Sequence, residues 1–212
     1  MEISEIFYSI QGEGREIGRP TVFIRTAGCN MRCEWCDTSY AWTRGDAMGV
    51  NEIMKKVDEY PVKRFCITGG EPLLQKDTIG LVERLKTEGE VSLETNGSLD
   101  ITPFISEGVM ISMDYKTPSS GMSSKVRRKN LDLLGRKDQL KFVIANFDDY
   151  DFALNVIEEK EIHAEIVFQP EGGTQLKMLA DRVIKDGVDV GVLPQLHKLI
   201  WGEKEVFRSV RP

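Results

Sequence analysis

Thr21-Val-Phe-Ile-Arg-Thr-Ala-Gly-Cys29-Asn-Met-Arg-Cys33-Glu-Trp-Cys36-Asp-Thr38 passes without a break from an apolar, β-branched run into a loop with cysteines spaced C-x3-C-x2-C. Thr21–Thr26 has the composition of a strand. The cysteine loop, 28–38, leaves its C-terminal end. Iron–sulfur cubanes are held by cysteine thiolates, normally four of them. Three thiolates leave one iron without a protein donor, which suits a cluster that must bind something else. The remaining cysteine, Cys66, stands in the apolar run Arg64-Phe-Cys-Ile-Thr68 and has the setting of a buried thiol. A structural zinc site needs four ligands. A redox pair formed by Cys33 and Cys36 leaves Cys29 without a role.

Further strands are expected at Arg64–Thr68, Val91–Thr95, Val109–Asp114, Leu140–Ala145, Ala164–Phe168 and Asp189–Leu193. Helical patterns separate them at Val50–Glu59, Asp77–Thr87, Ser124–Leu134, Asp149–Lys160 and Gln175–Lys185. Strands alternating with helices imply βαβ units and a mostly parallel sheet. The expected fold is α/β, a partial or distorted (βα) barrel. It is trimmed between Thr95 and Val109, where the connection is too short for a full helix. With no repeat or long linker, 1–212 is expected to form one domain.

The polar words share one address. Gly69-Gly-Glu-Pro72, Glu94-Thr-Asn-Gly97, Asp114-Tyr-Lys116, Gln169-Pro170 and Gln195-Leu-His197 each follow or end an expected strand, as the cysteine loop does. In parallel βα architectures the C-terminal strand ends face one side and carry the active site.

A net charge of −6 argues against a broad grip on nucleic-acid backbone. The basic run Lys125-Val-Arg-Arg-Lys129 fits the solvated face of a helix. No stretch reaches the roughly 18 apolar residues of a spanning helix, and Met1-Glu-Ile-Ser-Glu5 lacks a signal peptide's basic start. Clustered cysteines with ligand spacing point to a reducing cytoplasm rather than a disulfide framework.

The cysteine triplet, with Trp35 before its last member, resembles the signature of the radical S-adenosylmethionine superfamily. That resemblance implies a [4Fe-4S] cluster on Cys29, Cys33 and Cys36, with the amino and carboxylate groups of S-adenosylmethionine on the open iron. It further implies reductive cleavage to methionine and a 5′-deoxyadenosyl radical, chemistry that belongs to the cofactor. Gly69-Gly-Glu-Pro72 is similar to the glycine-rich motif that contacts the methionine amino group. The implied cofactor contacts are Trp35, Asp37, Gly70, Glu71, Asp114, Tyr115, Lys116, Gln169, Pro170, Glu171 and Gly172.

Ile10-Gln-Gly-Glu-Gly14, Phe23-Ile-Arg-Thr-Ala-Gly-Cys29 and Cys36-Asp-Thr38 narrow this to a resemblance with the 7-carboxy-7-deazaguanine synthase family. So do Lys116-Thr-Pro-Ser-Ser-Gly-Met122, Phe168-Gln-Pro170 and Gln195-Leu-His-Lys198. One departure is Asp114-Tyr115, where many relatives read Ser-Pro. The family converts 6-carboxy-5,6,7,8-tetrahydropterin to 7-carboxy-7-deazaguanine with loss of ammonia, on the route to queuosine and archaeosine in tRNA. The resemblance implies substrate contacts at Ile10, Gln11, Gly12, Glu13, Gly14, Arg25, Thr68, His197 and the terminal Pro212. Segment 195–212 is expected to close the site. Arg25 offers a planar fork for the substrate carboxylate, and Glu13 an acceptor for pterin N–H groups. The resemblance makes Thr38 a Mg²⁺ ligand, although its position alone also suits a helix cap. It implies a flavodoxin- or ferredoxin-type electron donor and a homodimer.

Two other readings stay open. A radical activase, installing a glycyl radical on a partner protein, leaves Arg25 and Glu13 on the surface. A non-catalytic cluster or zinc module cleaves no cofactor.

Overall fold

The computed structural model describes residues 1–105, 108–173 and 175–202. Its frame is one nine-stranded sheet. In chain order the strands are β1 (Glu2–Ile10), β2 (Pro20–Thr26), β3 (Asp46–Ala47), β4 (Arg64–Gly69) and β5 (Glu90–Thr95). They continue as β6 (Val109–Asp114), β7 (Gln139–Ile144), β8 (Glu165–Pro170) and β9 (Gly191–Val192). The spatial order is β3-β1-β2-β4-β5-β6-β7-β8-β9, and the two ends do not pair, so the barrel is open. From β2 through β9 every neighbouring pair is parallel, while β1 pairs antiparallel with β2 and β3. This is the expected α/β partial barrel, with an antiparallel edge.

The helices are α1 (Val50–Val57), α2 (Thr78–Lys86), α3 (Phe147–Glu158), α4 (Leu176–Asp186) and α5 (Leu196–Trp201). Each of the first four puts an apolar stripe into the common core: Ile53 and Val57, Leu81 and Leu85, Tyr150 and Ala153, Leu179 and Val183. Asn146 caps α3 by accepting from the Asp149 amide at 3.0 Å. Gly187 ends α4 in the left-handed region.

Strand side chains alternate between two faces. Ile67, Leu93, Met113 and Phe142 join the helix-packed core. Their neighbours Thr68, Glu94, Ser112, Asp114, Lys141 and Val143 line a cavity. The register sets several of these polar residues side by side. Glu5 pairs with Arg25, Arg25 with Thr68, Glu94 with Ser112, and Asp114 with Lys141.

Two expectations need correction. The helix expected at Ser124–Leu134 is instead two 3₁₀ segments, Ser123–Lys125 and Arg128–Leu133. Buried Asn130 donates to the carbonyls of Gly97 and Leu99, at 3.0 and 2.7 Å, tying its segment to the loop after β5. Such side-chain to backbone bonding competes with helix. The basic run spans the break between these segments, and there Arg127 pairs with Asp100 and Arg128 with Glu159. Strands β1 and β3 and helix α5 were not among the expected elements.

Candidate active site

The cavity of about 240 Å³ opens at the C-terminal ends of the parallel strands. A second recess, beside Phe147 and Met178, holds about 10 Å³. The larger cavity is the one lined by most of the expected site residues.

Its cysteine end is set by backbone. After β2 the chain turns at Gly28, and the Gly28 carbonyl accepts from the Glu71 amide at 2.8 Å. The Gly70 amide donates to the Thr26 carbonyl at 3.0 Å. A Cβ on Gly70 would lie 2.1 Å from the Gly28 oxygen, so only glycine lets the two loops meet. Cys29, Cys33 and Cys36 are half-buried, are in no disulfide, and all line the cavity. Burial pushes the Cys29 and Cys33 thiols up, and the nearby Lys116 ammonium opposes it. Three unbridged thiols in one loop beside a cation fit a thiolate-held cluster.

Glu71 does not line the cavity. It is fully buried, and its carboxylate accepts from the Leu73 amide at 3.1 Å, the Thr95 hydroxyl at 2.8 Å and the Asn96 amide at 2.7 Å. Its side chain thus locks the Gly-Gly-Glu-Pro turn to β5.

A second set of residues around the cavity is ionic. Lys141 Nζ lies 2.5 Å from Glu13 Oε2 and 3.3 Å from Asp114 Oδ2. Lys116 Nζ is 3.0 Å from the same Asp114 oxygen. Glu13 Oε1 accepts from Gln195 Nε2 at 2.9 Å. Burial alone raises the Glu13 carboxyl, yet Lys141, His197 and Gln195 hold it well below the usual carboxylate range. Burial likewise disfavours the Lys141 ammonium, and Glu13 and Asp114 keep it well above its ordinary value. Gly12 has no side chain because His197 stands there: a Cβ would meet its Nδ1 at 2.1 Å.

Two buried acceptors of this set, Asp114 Oδ1 and Gln195 Oε1, have no hydrogen-bond partner among the described residues. Buried polar atoms are nearly always paired, so these suit a ligand rich in N–H and O–H donors. Glu94 is already used, accepting from Gln11 at 3.0 Å and Thr68 at 2.8 Å. Thr38 stands before a 3₁₀ turn but makes no capping bond with its side chain. Its Oγ1 lies 3.7 Å from Cys36 Sγ. Glu13, Asp37 and His197 bring one potential ligand atom each to within 4.8 Å of one another.

Of the residues expected to bind cofactor, Trp35, Asp37, Gly70, Asp114, Lys116, Glu171 and Gly172 line the cavity. Tyr115, Gln169 and Pro170 do not; Tyr115 packs in the core against Phe142 and Phe152. Of the substrate set, Ile10, Gln11, Gly12, Glu13, Arg25, Thr68 and His197 line it, and Gly14 does not. Gly14 turns the chain with φ +68 against the Gln139 side chain. Of the segment 195–212 expected to close the site, Gln195, His197, Lys198 and Trp201 line the cavity, while 203–212, with Pro212, lie outside the described residues. Arg25 and Glu13 are not the surface residues of the activase reading. Sequence reasoning passed over Lys141, and it gave no role to Glu94 or Gln195. A polar residue at an inward position of an otherwise apolar strand was the available signal.

The model of the radical SAM superfamily matches residues 23–167. The 7-carboxy-7-deazaguanine synthase of Thermoplasma acidophilum is 42% identical over 205 residues, covering 96% of this chain and 98% of its own. That of Methanospirillum hungatei is 40% identical over 202 residues, 94% of this chain and 85% of its own. The crystal structure of QueE from Escherichia coli superposes with a TM-score of 0.78 at 20% identity, over 92% of this chain and 94% of that one. At that identity it speaks for the fold.

Proposed function

The chain belongs to the radical SAM superfamily and, within it, to the 7-carboxy-7-deazaguanine synthase family, and on that premise we propose how its cavity works. Its reaction is the ring contraction of 6-carboxy-5,6,7,8-tetrahydropterin to 7-carboxy-7-deazaguanine, with loss of ammonia, in 7-deazapurine biosynthesis. Membership implies a [4Fe-4S] cluster and S-adenosylmethionine. Cys29, Cys33 and Cys36 would hold the cluster. When bound, the pair supplies the one-electron cleavage that starts hydrogen abstraction.

The observation that carries the reading is that one cavity is lined by all three thiols and by Arg25, Glu13 and Gln195. Arg25 takes the substrate carboxylate, a charge-assisted pair between a planar fork and a planar anion. Glu13, kept ionised by Lys141, accepts from the amino and ring N–H groups of the pterin. Gln195 Oε1 takes a further pterin donor, and Asp114 Oδ1 takes one from the cofactor. Thr68 and Gln11 are aimed by Glu94. Thr38, uncommitted as a cap, is the protein ligand of a Mg²⁺ ion that otherwise draws on substrate and water.

No helix among the described residues is long and apolar enough to cross a membrane. A thiolate-held cluster fits a reducing cytoplasm. An external one-electron donor of flavodoxin or ferredoxin type and a homodimer complete the proposal, on the family resemblance.

Anaerobic reconstitution followed by incubation with reductant, S-adenosylmethionine, Mg²⁺ and the carboxylated pterin tests it. Formation of 7-carboxy-7-deazaguanine is expected. Release of 5′-deoxyadenosine without pterin conversion would favour the activase reading. No release under any condition would leave only a binding module.

A further inference from the structure

Arg25 is an unusual arginine to leave beside an open cavity. Its side chain is only 12% exposed, and its guanidinium lies over the Phe7 ring, 5.4 Å from the centroid. Phe7 in turn stacks on Phe23 at 4.9 Å. Among the described residues Arg25 makes one side-chain hydrogen bond, Nε to Glu5 Oε1 at 2.7 Å. Neither Nη atom has a partner there, and the side chain lines the cavity. The same Glu5 oxygen accepts from the Tyr40 hydroxyl, also at 2.7 Å.

This contact has to be built. The β1–β2 ladder is irregular between Ile3 and Glu5: Ile3 pairs with Thr26, and Glu5 with Arg25, so two steps on β1 match one on β2. Such a bulge turns a side chain to a different face and raises local twist, often beside active sites. Here it sets a carboxylate directly opposite the arginine. Tyr40 arrives from the turn just after Thr38 and holds the carboxylate from the other side.

We propose that Glu5 and Tyr40 are positioning residues that grip the Nε side of Arg25 and leave its two Nη groups aimed at the ligand's carboxylate. The inference rests on the reading of Arg25 as the carboxylate-binding group and adds how that group is oriented. A carboxylate beside the arginine weakens anion binding by charge while improving it by geometry. Those opposed effects separate the variants. Glu5→Gln keeps an acceptor oxygen for both donors and removes the negative charge. Glu5→Leu removes acceptor and charge together. Tyr40→Phe removes one anchor of the carboxylate and leaves the ion pair.

The test is equilibrium binding to the reconstituted holoenzyme of 6-carboxy-5,6,7,8-tetrahydropterin and of the same tetrahydropterin lacking the carboxylate. The quantity read is the preference for the carboxylated ligand. Glu5→Leu should lower that preference by about tenfold or more, as loss of an oriented charge-assisted contact does. Glu5→Gln should match or exceed the wild type, and Tyr40→Phe should fall by about two- to threefold, the size of one weaker neutral bond. Affinity for the ligand without the carboxylate should not change in any variant, which a general structural defect would not spare. A preference in Glu5→Leu equal to wild type overturns the proposal, and so does an equal loss in Glu5→Gln and Glu5→Leu. A wild type indifferent to the carboxylate would defeat the reading of Arg25 itself. The crystal structure of the Glu5→Leu holoenzyme then still decides the clamp: a guanidinium displaced from Phe7 supports it, and one left in place refutes it.

Discussion

Glu71 and Glu13 are both carboxylates drawn out of water at the rim of one parallel sheet, and they are held by opposite means. Among the described residues Glu71 accepts hydrogen bonds from neutral donors alone, two amides and a hydroxyl, with the Lys116 ammonium a weaker influence. Burial raises its carboxyl above the ordinary value, and those donors offset part of the rise. Glu13 faces an ammonium, and its carboxyl is held far down. The cysteine end of the cavity is therefore a backbone structure, closed by glycines and neutral hydrogen bonds. The pterin end is a charge structure, Glu13–Lys141–Asp114–Lys116, with close to no net charge. One end is rigid by steric fit and the other by electrostatic balance.

The most severe way to break the ionic end is Lys141→Met, which leaves two mostly buried carboxylates with one fewer cation. Removing one partner of a buried pair costs about 3–5 kcal/mol, and urea unfolding should show a loss of that size. A loss under about 1 kcal/mol, the level of a surface pair, would mean the network is not what holds this end. The steric end breaks differently. Gly70→Ala should cost about 1–3 kcal/mol, as overpacking does, and should lower cluster iron in the reconstituted protein. Lys141→Met should keep its iron. Equal iron loss in both would erase the distinction between the ends.

The smallest effect sharpens the comparison through pH. Glu13 has a folded pKa below its ordinary value of 4.5, so its stabilising contribution is present above pH 4.5 and is lost as pH falls through the folded value. The stability gap between wild type and Glu13→Gln should be flat near neutral pH and close below 4.5. Glu71, raised by burial, works the other way: its protonation favours the fold as pH falls from neutral. A Glu71→Gln gap should therefore change with the opposite sign. Parallel pH profiles for the two variants would show that the ends share one physics.

Much of this frame was legible in the sequence because parallel strands buried on the helix side are apolar and bounded by glycine words. Val109–Asp114 was read to the residue, and β2, β4, β5 and β7 to within one residue at each end. Strand β1 was not, because Glu2 and Glu5 interrupt its apolar pattern. Glu5 is there to meet Arg25 across a bulge, and no local pattern carries that information. The 3₁₀ segments at 123–133 follow from Asn130 bonding to a distant loop, again a tertiary cause. Within the site, loop residues with a short motif were found, and Lys141 was not. Its partners lie 128 and 27 positions away in the chain, and only the sheet register joins them. Glu71 is the converse case, a motif residue whose side chain bonds within the motif's own fold.

The crystal structure of the reconstituted holoenzyme with S-adenosylmethionine and 6-carboxy-5,6,7,8-tetrahydropterin tests the proposed reading of the cavity most directly. The account predicts the pterin carboxylate on the two Nη groups of Arg25 and pterin N–H groups on Glu13 and Gln195. A pterin carboxylate seated away from Arg25, with Arg25 still bound only to Glu5, would contradict it.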